Sequence, residues 1–235
     1  MQENNTKPFN HLKIHTQYSI CEGAIKIEDL KNYCKKNKLQ SIGLSDSSNL
    51  FGALEFAENL SKVGTQPIIG TQINFKYNDT IGLLPLIALN EEGYKRIIEL
   101  SSKSFLENDG LTEPNCDFSE LSKNNAGIAI FSGAINGFIG KLFNKGLYDD
   151  IEKIYSVLKS SYGNRFYIEI QRHNDINEKS FEKYNLQKSN ELTIPIIATH
   201  EVYYLDKDMF EAHDALICIG NKTYVNEKNR IKFTN

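Results

Sequence analysis

Residues 41–60, S-I-G-L-S-D-S-S-N-L-F-G-A-L-E-F-A-E-N-L, change hydrophobic period once, and that change sets the fold class. The first six residues read as a short apolar strand ending at Asp46. From Phe51 onward, Phe51, Leu54 and Leu60 give a helix one apolar face. The polar run between them, S-D-S-S-N, has the composition of a helix start, so Asp46 can accept backbone N–H bonds or, as the more ordinary role, cap the helix.

The same strand-then-helix alternation recurs along the chain. P-F-N-H-L-K-I (8–14) is a strand candidate, followed by a helix through Ile27, Leu30 and Cys34. Q-P-I-I-G (66–70) is followed closely by Q-I-N-F-K-Y (72–77). L-L-P-L-I-A-L (83–89) precedes a helix through Tyr94, Ile97 and Ile98, and G-I-A-I-F-S-G (127–133) precedes one through Ile151, Ile154 and Leu158. R-F-Y-I-E-I-Q (165–171) and P-I-I-A-T-H-E (195–201) come last, the latter with a helix around 210–219. Strands apolar on both faces that alternate with helices imply a parallel sheet covered on both sides. About seven such units favour closure into a β/α barrel over an open sheet.

Composition narrows the function classes. Of 235 residues, 40% are hydrophobic and 24% charged, enough to bury a core, and the segment 107–116 is merely loop-like. A net charge of -3 offers no bulk attraction to a phosphate backbone. The lysine run Lys35-Lys36-Asn37-Lys38 sits at a predicted helix end, where cations are favourable for local reasons. Four scattered cysteines without a C-x-x-C pair point to a reduced, cytoplasmic chain. The N-terminal M-Q-E-N-N-T-K-P-F-N carries no signal-like apolar run, and no membrane segment is expected. The abrupt polar ending, K-N-R-I-K-F-T-N (228–235), suggests a piece of a longer chain.

Polar residues fall where such a barrel would use them. His15, Asp46, Gln72, Ser132, His173 and His200 each lie at or just past the C-terminal end of a strand candidate, the rim where barrel catalysts gather. Any one of them also suits an ordinary loop start. In H-L-K-I-H-T-Q-Y-S-I-C-E-G (11–23), alternation puts His11, Lys13 and His15 on one strand face. Paired histidines followed by a carboxylate suit a metal ion, but an ammonium offers no lone pair and repels one. In Y-I-E-I-Q-R-H (167–173), Glu169, Gln171 and His173 share a face. Gln72 points inward or outward with equal ease, and His213, on a helix, reads as ordinary surface or core. No P-loop, G-x-G-x-x-G, zinc-finger spacing or G-x-S-x-G is present.

Taken in order, these motifs resemble the PHP (polymerase and histidinol phosphatase) domain at the start of bacterial DNA polymerase III alpha subunits, from about Phe9 to Phe233. The resemblance implies a distorted seven-stranded β/α barrel, with residues 1–235 forming a single PHP domain of a much longer polymerase. Intact members hold clustered divalent metals and hydrolyse phosphoesters. This chain departs from their ligand pattern at Lys13, Ser47, Gln72, Ala134 and Tyr203, where ligands are lost. His15, Glu22, Asp46, His173 and Glu201 remain as vestiges. No catalytic residue and no cofactor is therefore expected, beyond at most one weakly bound divalent ion. The expected role is a non-catalytic scaffold in DNA replication that docks a proofreading exonuclease subunit and meets DNA only within the holoenzyme. The polymerase's own acidic pair lies downstream in the family. The alternative is an active metal-dependent phosphoesterase or 3'-5' exonuclease using the remaining His, Glu and Asp residues, for which clustered metals are required.

Overall fold

The computed structural model of the chain describes residues 9–108, 110–173 and 177–233. Pro8 of the first strand candidate and the last two residues of the polar ending lie outside them. In chain order the elements are β1 (Lys13–Ile14), α1 (Ile27–Asn37), β2 (Ser41–Gly43), β3 (Asp46–Ser47), α2 (Ala53–Ser61), β4 (Gln66–Ile68), β5 (Gly70–Tyr77), β6 (Thr80–Ala88) and α3 (Glu91–Leu106). There follow β7 (Cys116–Asp117), β8 (Ile128–Phe131), α4 (Phe138–Asn144), α5 (Tyr148–Tyr162), β9 (Phe166–Ile170), α6 (Glu178–Leu192), β10 (Ile196–Ala198), β11 (Glu201–Val202) and α7 (Phe210–Asn221).

Three runs are each broken into two pieces: β2 with β3, β4 with β5, and β10 with β11. The pairings then close a ring. β1 meets the 41–47 run through the parallel Ile14–Leu44 bridge and the Gly43 N–H to His11 carbonyl bond of 2.7 Å. That run pairs with 66–77, 66–77 with β6, β6 with β8, β8 with β9, and β9 with β10. β11 returns to β1, so the expected barrel closes among the described residues, with β7 attached outside it on β5. The backbones come very close where β1 crosses the second run. A Cβ on Gly43 would lie 2.6 Å from the Leu12 carbonyl oxygen, so only glycine fits there.

One strand corrects the expectation of an all-parallel sheet. β6 runs antiparallel to both neighbours. The link from β5 is only Asn78-Asp79, with Asn78 at φ 51°, and two residues make a hairpin but not a crossover.

The core lies between ring and helices. Ile27, Leu30 and Cys34 of α1, and Ile151, Ile154 and Leu158 of α5, are fully buried, as their spacing predicts. Two helix faces differ from the sequence reading. α2 buries Ala53, Phe56 and Leu60, whereas Phe51 and Leu54 are 69% and 71% exposed. α3 buries Ile97 with Leu100 and turns Ile98 outward, while Tyr94 is half-buried. In both, apolar residues occur on more than one face, so spacing alone does not choose between them.

Candidate functional site

The first strand carries the centre of the site. Ile14 packs outward against α1 and α2, and the alternation turns Lys13 and His15 inward, each only 1% exposed. Burying an ammonium is costly unless anions meet it. The Lys13 Nζ lies 3.0 Å from Glu169 Oε1 and is also paired with Glu201 Oε1. His15 Nε2 is 2.5 Å from Glu201 Oε2, an oxygen that also accepts from the Gln72 amide at 3.1 Å. On the other side, Glu169 Oε1 accepts from the Gln171 amide at 2.6 Å and from the Thr199 hydroxyl.

The electrostatics follow from this closure. Burial alone would lower the Lys13 pKa, but the Glu169 and Glu201 carboxylates raise it above its ordinary value. Burial alone would raise Glu201, and the charges of Lys13 and His15 outweigh it, holding the carboxyl well below the usual range.

Asp46 is a second closed unit. Its carboxylate accepts the Thr16 N–H at 2.6 Å, the Thr16 hydroxyl at 2.7 Å and the Ser19 hydroxyl at 2.7 Å. It therefore locks the turn after β1 and does not cap α2, whose N-cap position is Gly52. This corrects the capping expectation. Ser19 Oγ also lies 3.3 Å from His15 Nδ1, linking the two units. Ser47 donates to Glu22 at 2.5 Å. Tyr203 stacks on His15 with centroids 4.4 Å apart, and burial, with the nearby carboxylates of Glu201 and Glu22, pushes its phenol well above the ordinary value. His213 stacks on Tyr203 in turn and donates from Nε2 to the Glu22 carbonyl at 2.8 Å, a core role.

The mouth of the barrel thus brings together His15, Glu22, Asp46 and Glu201 with Lys13, Ser47, Gln72 and Tyr203. Gln72, ambiguous in the sequence, points inward. Ala134 lines a cavity of about 10 Å³ together with Glu169, Gln171 and Asn185, room for about one water. His173 departs from the expected shared face. The strand ends at Ile170, so only Glu169 and Gln171 face inward. His173 instead sits 3.1 Å from Glu178 Oε1 through Nδ1 and stacks on exposed His200 at 4.3 Å. Sequence reasoning missed Glu169 as a site residue. The signal was available: an inward lysine on one strand requires an inward carboxylate on another.

Comparison with known proteins places this arrangement. The profile of the PHP domain matches residues 11–173. The chain belongs to the PHP domain family. It is 31% identical over 247 residues to the DNA polymerase III subunit alpha of Caulobacter vibrioides, covering 100% of this chain and 21% of that protein. It is 37% identical over 213 residues to that of Rickettsia felis, covering 90% of this chain and 18% of that protein. The chain therefore spans about a fifth of the length of these curated relatives. Among solved structures, a candidate metal-dependent phosphoesterase from Bifidobacterium adolescentis superposes with a TM-score of 0.57 at 11% identity, covering 90% of this chain and 98% of that one. An amidohydrolase from Chromobacterium violaceum gives a TM-score of 0.51 at 8% identity, covering 88% and 96%. These two likenesses concern the fold alone.

The metals held by intact members of the PHP family do not fit the residues of this chain. The Lys13 ammonium stands between Glu169 and Glu201, and both Asp46 oxygens face donors already in place. Among the described residues, no three His, Cys, Asp or Glu side chains are arranged to hold one ion. Also among the described residues, no helix is long and apolar enough to cross a membrane, and all four cysteines are free.

Proposed function

We propose that this chain is the PHP domain of a DNA polymerase III alpha subunit, a single domain spanning residues 1–235 of a much longer cytoplasmic chain. In this reading it has no polymerase or phosphoesterase activity of its own, and serves DNA replication as a scaffold that docks a proofreading exonuclease subunit. The observation that carries the non-catalytic part is the lysine ammonium at the site's centre, paired to two carboxylates. Water activation by clustered metals needs open ligands and negative charge, and here those groups satisfy one another. The relatives, named as alpha subunits and about five times as long, support the polymerase context. The exposed Phe51 and Leu54, just before and within the first turn of α2, support an apolar partner surface on the outer loops and helices, and apolar contact would suit a near-neutral domain. Tethering an exonuclease there would raise its concentration near the primer terminus.

The test is a titration of the chain with the exonuclease subunit of the same organism. We expect association at or below tens of micromolar, roughly the range of a weak specific contact. It should weaken with a Phe51→Asp, Leu54→Asp double variant and persist with His15→Gln. Absence of binding removes the docking role; loss with His15→Gln alone moves the contact to the barrel mouth. Primer extension by the purified chain should stay at background.

The rival reading, an active metal-dependent phosphoesterase or 3'-5' exonuclease, has one observation in its favour: Glu169 Oε2 is buried without a partner. Elemental analysis decides between them. Two or more ions per chain, with phosphoester hydrolysis lost on chelation, would establish the enzyme.

A further inference from the structure

We infer that Lys13 is a chain-borne cation that closes the barrel, doing permanently and covalently the charge-neutralising work for which the same carboxylates would otherwise need a bound ion. This rests on the reading of a non-catalytic site and gives its centre a definite task.

The ring is thinly paired on both sides of β1, which meets the 41–47 run through a single bridge. β5 and β6 share eight paired positions, whereas β11 and β1 share two, Lys13 with Glu201 and Ile14 with Val202. So short a ladder needs support from side chains. Lys13 supplies it by joining β1 to Glu169 at the end of β9 and to Glu201 on β11. Those two strand runs are neighbours through β9 and β10, so the two carboxylates face the same interior space. Glu169 is 0% exposed at its side chain and Glu201 16%. Two like charges so placed repel strongly unless a cation lies between them. Among the described residues, Lys13 is the lysine or arginine ion-paired with either of them, and His15 is the further partner of Glu201. The unpartnered Glu169 Oε2 and the one-water cavity beside it show that this carboxylate has little solvation of its own to fall back on.

The chemistry allows a direct substitution. Removing the Lys13 side chain beyond Cβ deletes the atoms of n-propylammonium. Lys13→Ala should therefore leave a cation-shaped space lined by two carboxylates. It should accept a small primary ammonium ion and reject a bulky quaternary one.

The experiment is thermal unfolding of the full 235-residue chain. Wild type should unfold at the same temperature in chelator and in Mn²⁺. Lys13→Ala should unfold roughly 10 °C lower, the shift expected when one partner of a buried pair is removed from a domain of this size. On the order of 50 mM n-propylammonium should recover a measurable part of that loss by binding the folded state. Tetramethylammonium at equal ionic strength should recover none. A Lys13→Ala chain as stable as wild type, equal rescue by both ions, or a wild type stabilised by Mn²⁺ would each overturn the inference. If Lys13→Ala fails to fold, the comparison passes to Lys13→Met and Lys13→Met with Glu169→Gln. Removing the orphaned charge must then restore stability, and a double variant no better than the single one overturns the inference. Exonuclease binding is read separately, so loss of docking with these outcomes intact would affect only the proposed partner.

Discussion

Two histidines that look equivalent in the sequence end in opposite environments. His15 follows β1, is 1% exposed, faces Glu201 and Ser19 through its two ring nitrogens, and is covered by Tyr203. His173 follows β9 and leaves the barrel interior, pairing with Glu178 at the start of α6 and stacking on exposed His200. Both lie just beyond a strand, and the family resemblance implies a ligand position for each. The difference is that β1 continues its alternation into the mouth, while the chain after Ile170 turns away. A ligand position is thus set by backbone direction as much as by residue type. In this barrel the interior is a network of internal ion pairs, and His173 is held outside it by Glu178 beside exposed His200.

The widest test of that contrast is Glu201→Ala. It leaves the Lys13 ammonium with one carboxylate and His15 without its carboxylate partner, and we expect a loss of about 3–5 kcal/mol in denaturant unfolding. A loss below about 1 kcal/mol, the range of exposed pairs, would mean that the interior network behaves like a surface one. Asp46→Asn should rank next. The amide would turn a donor toward one of three existing donors, costing about 1–3 kcal/mol for the unmet group. Chemical denaturation measures it, and a neutral outcome would separate the Asp46 turn from the network.

A pH series adds a carboxylate outside the barrel mouth. Glu120 is held down to about 2, first by its bond to Lys123 and then, against the opposing effect of burial, by Lys103 and Arg96. A depressed carboxylate stabilises the fold above its ordinary value of 4.5, and that contribution disappears as pH falls toward about 2. Glu120→Gln should therefore lower stability at neutral pH and flatten the acid limb of the stability curve over that window. An unchanged slope would remove Glu120 from the account. The smallest effect belongs to the rim. His200→Ala should stay within about 0.5 kcal/mol of wild type, as for surface positions generally. A loss approaching that of Glu201→Ala would erase the distinction between mouth and rim.

Much of the architecture was legible because it is written in short periods. The strand runs, the α1 and α5 faces and the shared strand face of Lys13 and His15 follow from spacings of two and 3.6 residues. The antiparallel course of β6 overturned the parallel-sheet expectation, although the short link after Tyr77 leaves no length for a crossover. The face of α2 was not legible, because Phe51 and Leu54 are as apolar as Phe56 and Leu60. Only the position of the barrel wall decides which pair is covered.

The sequence by itself determined that a lysine would share a strand face with a histidine, at a position where the family resemblance implies a ligand, and that a metal there would meet a positive charge. Tertiary structure alone decided how that charge is met. Glu169 is 156 residues from Lys13 in the chain, and Glu201 reaches it only because the last strand returns to the first. Local periodicity can orient a buried ammonium, but its counter-ion is chosen by ring closure, which is a property of the whole barrel.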